Sequence, residues 1–81
     1  MLRIRFFGSI REQLQTSSID VEYAGEETVS DLMAKLIEKG ERWLILEEQD
    51  VLVAVNMTLC GKDAVINSGD ELAFFPPVTG G

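Results

Sequence analysis

Few residues in this chain could do chemistry. It contains no histidine and a single cysteine, Cys60. One cysteine without histidine partners cannot assemble a zinc or iron–sulfur site, so no metal is expected. As a nucleophile Cys60 lacks a base, and it sits in an apolar stretch where a thiol stays protonated. It reads as a small core residue, with a sulfur relay as the lesser alternative. Glu26-Glu27 and Glu47-Glu48 are adjacent in sequence rather than facing pairs, so they read as solvated loop charges, and Lys35, Lys39 and Lys62 read as surface residues. The phosphate loop Gly-x-x-x-x-Gly-Lys and the dinucleotide fingerprint Gly-x-Gly-x-x-Gly are both missing. The domain is expected to have no catalytic machinery and no bound cofactor of its own.

What remains is the end of the chain, Phe74-Phe75-Pro76-Pro77-Val78-Thr79-Gly80-Gly81. No side chain from Leu72 to Gly81 is charged, so the reactive group there would be the carboxylate of Gly81. Glycine has no Cβ and passes through gaps that exclude other residues. The prolines hold φ near −65° and keep the chain extended. Six residues from Pro76 onward reach roughly 20 Å, enough to carry a carboxylate into a narrow pocket of another protein. A bare Gly-Gly by itself is more often a frayed terminus or a cloning remnant, so the elements behind it must decide.

Those elements follow from hydrophobic period. Leu2 to Phe7 alternates, with Leu2, Ile4 and Phe6 on one side and Arg3, Arg5 and Phe7 on the other, as in a half-buried strand. Gly8 breaks it, and Ile10 and Leu14 anchor a short helical turn. Ser18 to Tyr23 alternates again with Ile19, Val21 and Tyr23 inward, completing a wide antiparallel hairpin. Thr28 is a good N-cap, with Asp31 three residues on. Val29, Leu32, Met33, Leu36 and Ile37 then trace one helical face up to a stop at Gly40. Glu41 to Leu46 is expected to be a helical turn covering one end of the core. Val51 to Val55 reads as a buried strand, Asn56-Met57 as a turn and Thr58 to Cys60 as a short returning strand. Asn67-Ser68-Gly69-Asp70 is a turn before the last strand, Glu71 to Phe75.

Hairpin, main helix, hairpin and last strand make an α+β fold. A mixed sheet covered on one face by the helix is the β-grasp, or ubiquitin-like, arrangement. The domain is expected to span residues 1–75, and an extended, flexible tail residues 76–81. On the uncovered sheet face, Phe7 and Phe75 are expected to be neighbours, with Ala54 and Leu59 facing outward from the second hairpin. Phe7, Leu59 and Phe75 would form an apolar docking surface; the alternative is that a loop or the tail covers them.

Composition limits the partners. Hydrophobic and charged fractions of 46% and 26% are those of a globular domain. With 14 acidic against 7 basic side chains and a net charge of −7, the chain is repelled by phosphate backbones and by anionic membranes. It has no signal-peptide pattern and no apolar span, and one cysteine suits a reducing compartment. Cytoplasmic location is expected, with neither nucleic acid nor membrane as partner.

The closing stretch Ser68-Gly69-Asp70-Glu71-Leu72-Ala73-Phe74-Phe75-Pro76-Pro77-Val78-Thr79-Gly80-Gly81 resembles that of the small, sulfur-carrying subunits of molybdopterin synthase. Arg5-Phe6-Phe7-Gly8 with Arg11-Glu12, and Val53-Ala54-Val55-Asn56, are similar too, so the resemblance runs the length of the chain. It implies a cosubstrate rather than an enzyme. The Gly81 carboxylate would be adenylated by an ATP-using activating enzyme and converted to a thiocarboxylate by a persulfide sulfur donor. Pro76, Pro77, Val78, Thr79 and Gly80 would enter the large synthase subunit, in a heterotetramer with a small subunit at each end. Sulfur would pass to cyclic pyranopterin monophosphate, and two deliveries would build the dithiolene of molybdopterin. The rivals are a thiamine-type sulfur carrier, a ubiquitin-like modifier of lysines, and a β-grasp interaction module with an inert terminus.

Overall fold

A computed structural model describes residues 1–48 and 50–77. Its elements are β1 (Leu2–Phe6), α1 (Gly8–Leu14), β2 (Ser18–Val21), α2 (Val29–Ile37), a 3-10 segment (Glu41–Glu47), β3 (Leu52–Val55), β4 (Thr58–Cys60) and β5 (Glu71–Phe75). The strands form one sheet in the order β2-β1-β5-β3-β4. β5 lies in the centre, parallel to β1 and antiparallel to β3.

The local chemistry accounts for each element. α2 opens on a complete capping box: Asp31 N donates to Thr28 Oγ1 at 3.3 Å, and Thr28 N donates to Asp31 Oδ2 at 3.1 Å. These bonds satisfy backbone donors that the first helical turn leaves open. The β3–β4 hairpin turns on Asn56 and Met57, both at positive φ (50° and 69°), the backbone of a two-residue hairpin turn. Its register, Ala54 opposite Leu59 and Val53 opposite Cys60, agrees with the reading of Asn56-Met57 as such a turn. α1 is longer than expected. It is a seven-residue helix that buries Ile10 and Leu14 and closes on Gln15 in the left-handed region.

The core lies between the inner sheet face and the helices. Leu2, Ile4 and Phe6 of β1 and Leu72 and Phe74 of β5 pack with Leu32 and Leu36 of α2 and with Ile10 and Leu14 of α1. Phe6 is its aromatic pivot, stacked on Phe74 at 6.2 Å between ring centroids and edge-on to Trp43 at 5.6 Å. Such pairs add to plain area burial. The 3-10 segment buries Trp43, Ile45 and Leu46, so it caps this core as expected.

Candidate functional site

β5 is the element that positions the site. Inner Leu72 and Phe74 are fully buried, whereas Glu71, Ala73 and Phe75 point to the uncovered face and are half-buried. Pairing sets out that face in rows: Arg5, Ala73, Ala54 and Leu59 in one, Phe75 and Leu52 in the next. Phe7 lies one residue beyond β1, at the N-cap of α1, with extended backbone. Its N–H donates to Phe74 O at 3.1 Å, which carries the β1–β5 ladder one step further and brings Phe7 level with Phe75. Phe7 is 45% exposed.

Leu59 is 62% exposed but stands further off. It lies on edge strand β4, two strands from β5, or about 10 Å across at the usual strand spacing. It shares a row with Ala73 rather than with Phe75. Between them Ala54 and Ala73 form a low floor. Ala54 is only 8% exposed yet stands outside the core cluster, so its neighbours on the outer face shelter it. Reading Val51 to Val55 as a strand buried on much of both faces, with Ala54 turned outward, leaves Leu52 unassigned. Alternation from inward Val53 is the signal that places Leu52 beside Phe75.

The far half of the same face is charged. Arg3 Nε meets Asp20 Oδ1 at 2.9 Å, and Arg5 Nε meets Glu71 Oε1 at 3.3 Å. The face is therefore divided into an apolar part, formed by Ala73 and Phe75 of β5 with β3 and β4, and an ion-paired part on β1, β2 and Glu71 at the start of β5.

Pro76 leaves this face directly. Gly8 has φ +59°, and a β-carbon on it would lie 2.9 Å from Pro76 Cγ, so the first tail residue sits close against the chain where β1 passes into α1. Pro77 is exposed. Val78, Thr79, Gly80 and Gly81 lie outside the described residues, and with them the expected reactive carboxylate.

Cys60 is half-buried at the core margin. Its Sγ–H donates to Val53 O at 3.7 Å, and burial pushes the thiol pKa up. That is the environment of a structural thiol rather than a nucleophile. Among the described residues no group of three histidine, cysteine or acidic side chains could hold a metal ion. No helix there is long and apolar enough to cross a membrane.

A mixed five-stranded sheet with one main helix against its inner face defines a ubiquitin-like β-grasp protein. The sequence matches the ThiS family over residues 4–81, and the chain belongs to that family. The molybdopterin synthase sulfur carrier subunit of Haemophilus influenzae is 43% identical over 84 residues, covering 100% of both chains. Small archaeal modifier protein 3 of Haloferax volcanii is 30% identical over 90 residues, covering 99% of this chain and 98% of that one. Among solved structures, SAMP1 of Haloferax volcanii superposes with a TM-score of 0.79 at 25% identity, over 99% of this chain and 98% of that one. A complex of subunits 1 and 2 of molybdopterin-converting factor from Helicobacter pylori 26695 contains a chain that superposes with a TM-score of 0.67 at 25% identity, over 99% and 97%.

Proposed function

We propose that this chain is the sulfur-carrier subunit of a molybdopterin synthase in the cytoplasm, a sulfur donor that is not catalytic alone. The observation that carries the reading is the end-to-end likeness to the Haemophilus influenzae carrier. The geometry agrees: the central strand of the sheet runs out of an apolar face straight into the Pro76-Pro77 arm.

In this reading the chain supplies an acyl group and its partners supply the catalysis. An activating enzyme uses ATP to adenylate the Gly81 carboxylate, because hydroxide is a poor leaving group and AMP a good one. A persulfide sulfur displaces AMP to give an acyl disulfide. A second thiol of the sulfur-donating partner then attacks the inner sulfur, the one still bonded to that partner, forming a disulfide with it and releasing the Gly81 thiocarboxylate. The glycine carbonyl is unhindered, where a β-branched residue would block attack. The large synthase subunit then takes in residues 76–81, excludes water and stabilises the charge that develops during transfer to cyclic pyranopterin monophosphate. The Helicobacter pylori complex supports a subunit partnership of this kind. Phe7, Leu59 and Phe75 hold the body while the tail reaches in. One face must serve activating enzyme and large subunit in turn, so the two compete for it.

The likeness to an archaeal modifier protein favours a second reading, in which Gly81 is joined to lysines of other proteins. Intact-mass measurement on protein purified from cells decides between them. A fraction heavier by one oxygen-to-sulfur exchange at Gly81 supports the carrier; adducts to other proteins support the modifier. Deletion of Gly81 should abolish molybdoenzyme maturation while the melting temperature stays unchanged. Maturation that survived this deletion would sink the proposal.

A further inference from the structure

Beside Phe7 the surface folds into a notch of about 330 Å³ lined by Arg5, Phe6, Phe7, Arg11, Ser17 and Ser18. Its polar side chains are two guanidiniums and two hydroxyls, and no carboxylate lines it, although the chain carries twice as many acidic as basic side chains. Arg5 is only partly committed, through Nε to Glu71. Among the described residues the Arg11 side chain makes no ion pair or hydrogen bond, and neither hydroxyl makes one. Guanidinium forks present several donors in a plane and match the two oxygens of a carboxylate. The notch shares Phe7 with the apolar docking face and lies next to Gly8, against which Pro76 packs.

We propose that this notch receives an acidic side chain of the large synthase subunit, making Arg11, with Arg5, a charged anchor at the edge of the apolar docking surface. The inference rests on the carrier reading above. The notch adds what an apolar patch lacks. Phe7, Leu52, Phe75 and Leu59 attract any greasy surface, whereas a fixed carboxylate beside Phe7 sets one orientation and so aims the Pro76-Pro77 arm. Charged groups at an interface edge act in this way, on specificity and encounter rate. The helix layer offers a control in Lys62, which shares a separate groove with Ser30 and Met33 and no lining residue with the notch.

The test measures binding of the full-length carrier to the purified large subunit by calorimetry, at two salt concentrations. Arg11→Glu should weaken binding by about tenfold or more, the scale of a close interfacial charge pair. Lys62→Glu, which changes net charge equally, should change it by less than about twofold, as expected of a charge away from the contact. Arg11→Lys should recover part of the loss, and Arg11→Gln should flatten the salt dependence of binding where Lys62→Gln does not. Melting temperatures of the Arg11 variants should stay close to the parent's, since the bonds that close α1 at Arg11 come from its backbone and its side chain makes none among the described residues. Equal effects of Arg11→Glu and Lys62→Glu would overturn the notch as an anchor while leaving the carrier reading intact. Failure of the unaltered chain to bind would instead overturn the carrier reading.

Discussion

Asn56 and Glu71 are joined in both directions: Asn56 N donates to Glu71 O at 2.7 Å, and Glu71 N donates to Asn56 Oδ1 at 3.0 Å. The Asn56 Nδ2 also reaches Asp70 Oδ1 at 3.0 Å. One side chain thus ties the β3–β4 turn to the start of the strand that leads to the tail. Asn56 has φ +50°, which asparagine and glycine accept more readily than alanine. Asn56→Ala should therefore lose both the bonds and the favoured backbone, about 1–2 kcal/mol. Asn56→Gly keeps the backbone and should lose less. Urea unfolding of the two variants separates the contributions; equal losses would mean that the backbone preference counts for nothing here.

Acid should loosen the loop that leads into α2. The Glu26 carboxylate accepts from Lys35 Nζ at 3.0 Å and from Ala24 N at 2.9 Å, and these bonds, Lys35 first, hold its pKa below the ordinary 4.5. A carboxylate with a lowered pKa in the folded state contributes stability in full above its unfolded value and loses it as pH falls through the folded value. The pair is partly exposed, so the contribution is under about 1 kcal/mol. Glu26→Gln should be less stable than the parent at pH 7, and the gap should close below about pH 4.5. A gap that stayed constant down to pH 3 would show that the charge is not what matters.

Most of the fold was legible because its signals are local. The Thr28 and Asp31 capping box, the alternation of β1 and β5 and the Asn56-Met57 turn each depend on residues within a few positions, and the turn alone implied the Ala54–Leu59 register. The parallel pairing of β1 with β5 joins residues such as Ile4 and Leu72. No local pattern encodes it, and it entered only through the fold as a whole. The site was legible at Phe7 and Phe75, which break an otherwise polar alternation. Leu52 was hidden in a continuous apolar run, from which only Ala54 is assigned to the outer face. Arg5 and Arg11 line one notch with Ser17 and Ser18 only because the chain passes through α1 and returns to pair β2 with β1, so their spacing in sequence gave no hint of it.

Cys60 should prove dispensable for sulfur chemistry. Its thiol is held protonated by burial and packs at the core margin, whereas sulfur exchange needs a thiolate. Cys60→Ala should retain thiocarboxylate formation at the parental rate while losing about 1 kcal/mol of stability, the cost of a small buried truncation. Iodoacetamide should alkylate Cys60 more slowly in the folded protein than in urea at the same pH. A variant that folded but could not be loaded with sulfur would restore Cys60 to the mechanism.

Phe74 and Phe75 are adjacent and should fail in opposite ways. Phe74 is fully buried and stacked on Phe6, so Phe74→Ala removes a core aromatic at a cost of about 3–5 kcal/mol, a large share of what a small domain possesses. It should lower the melting temperature steeply and reduce sulfur transfer only by depleting folded protein. Phe75 faces outward beside Leu52 and Phe7. Phe75→Asp should leave the circular dichroism spectrum intact and shift the melting temperature little, because no core contact is lost. Its charge would have to be desolvated against an apolar partner, so binding to both activating enzyme and large subunit should weaken by about tenfold or more. Measured together, melting curves and binding isotherms should place the two neighbours on opposite sides of the sheet. If Phe75→Asp unfolded the chain as Phe74→Ala does, Phe75 would belong to the core and the docking face would have to be redrawn around Phe7 and Leu59.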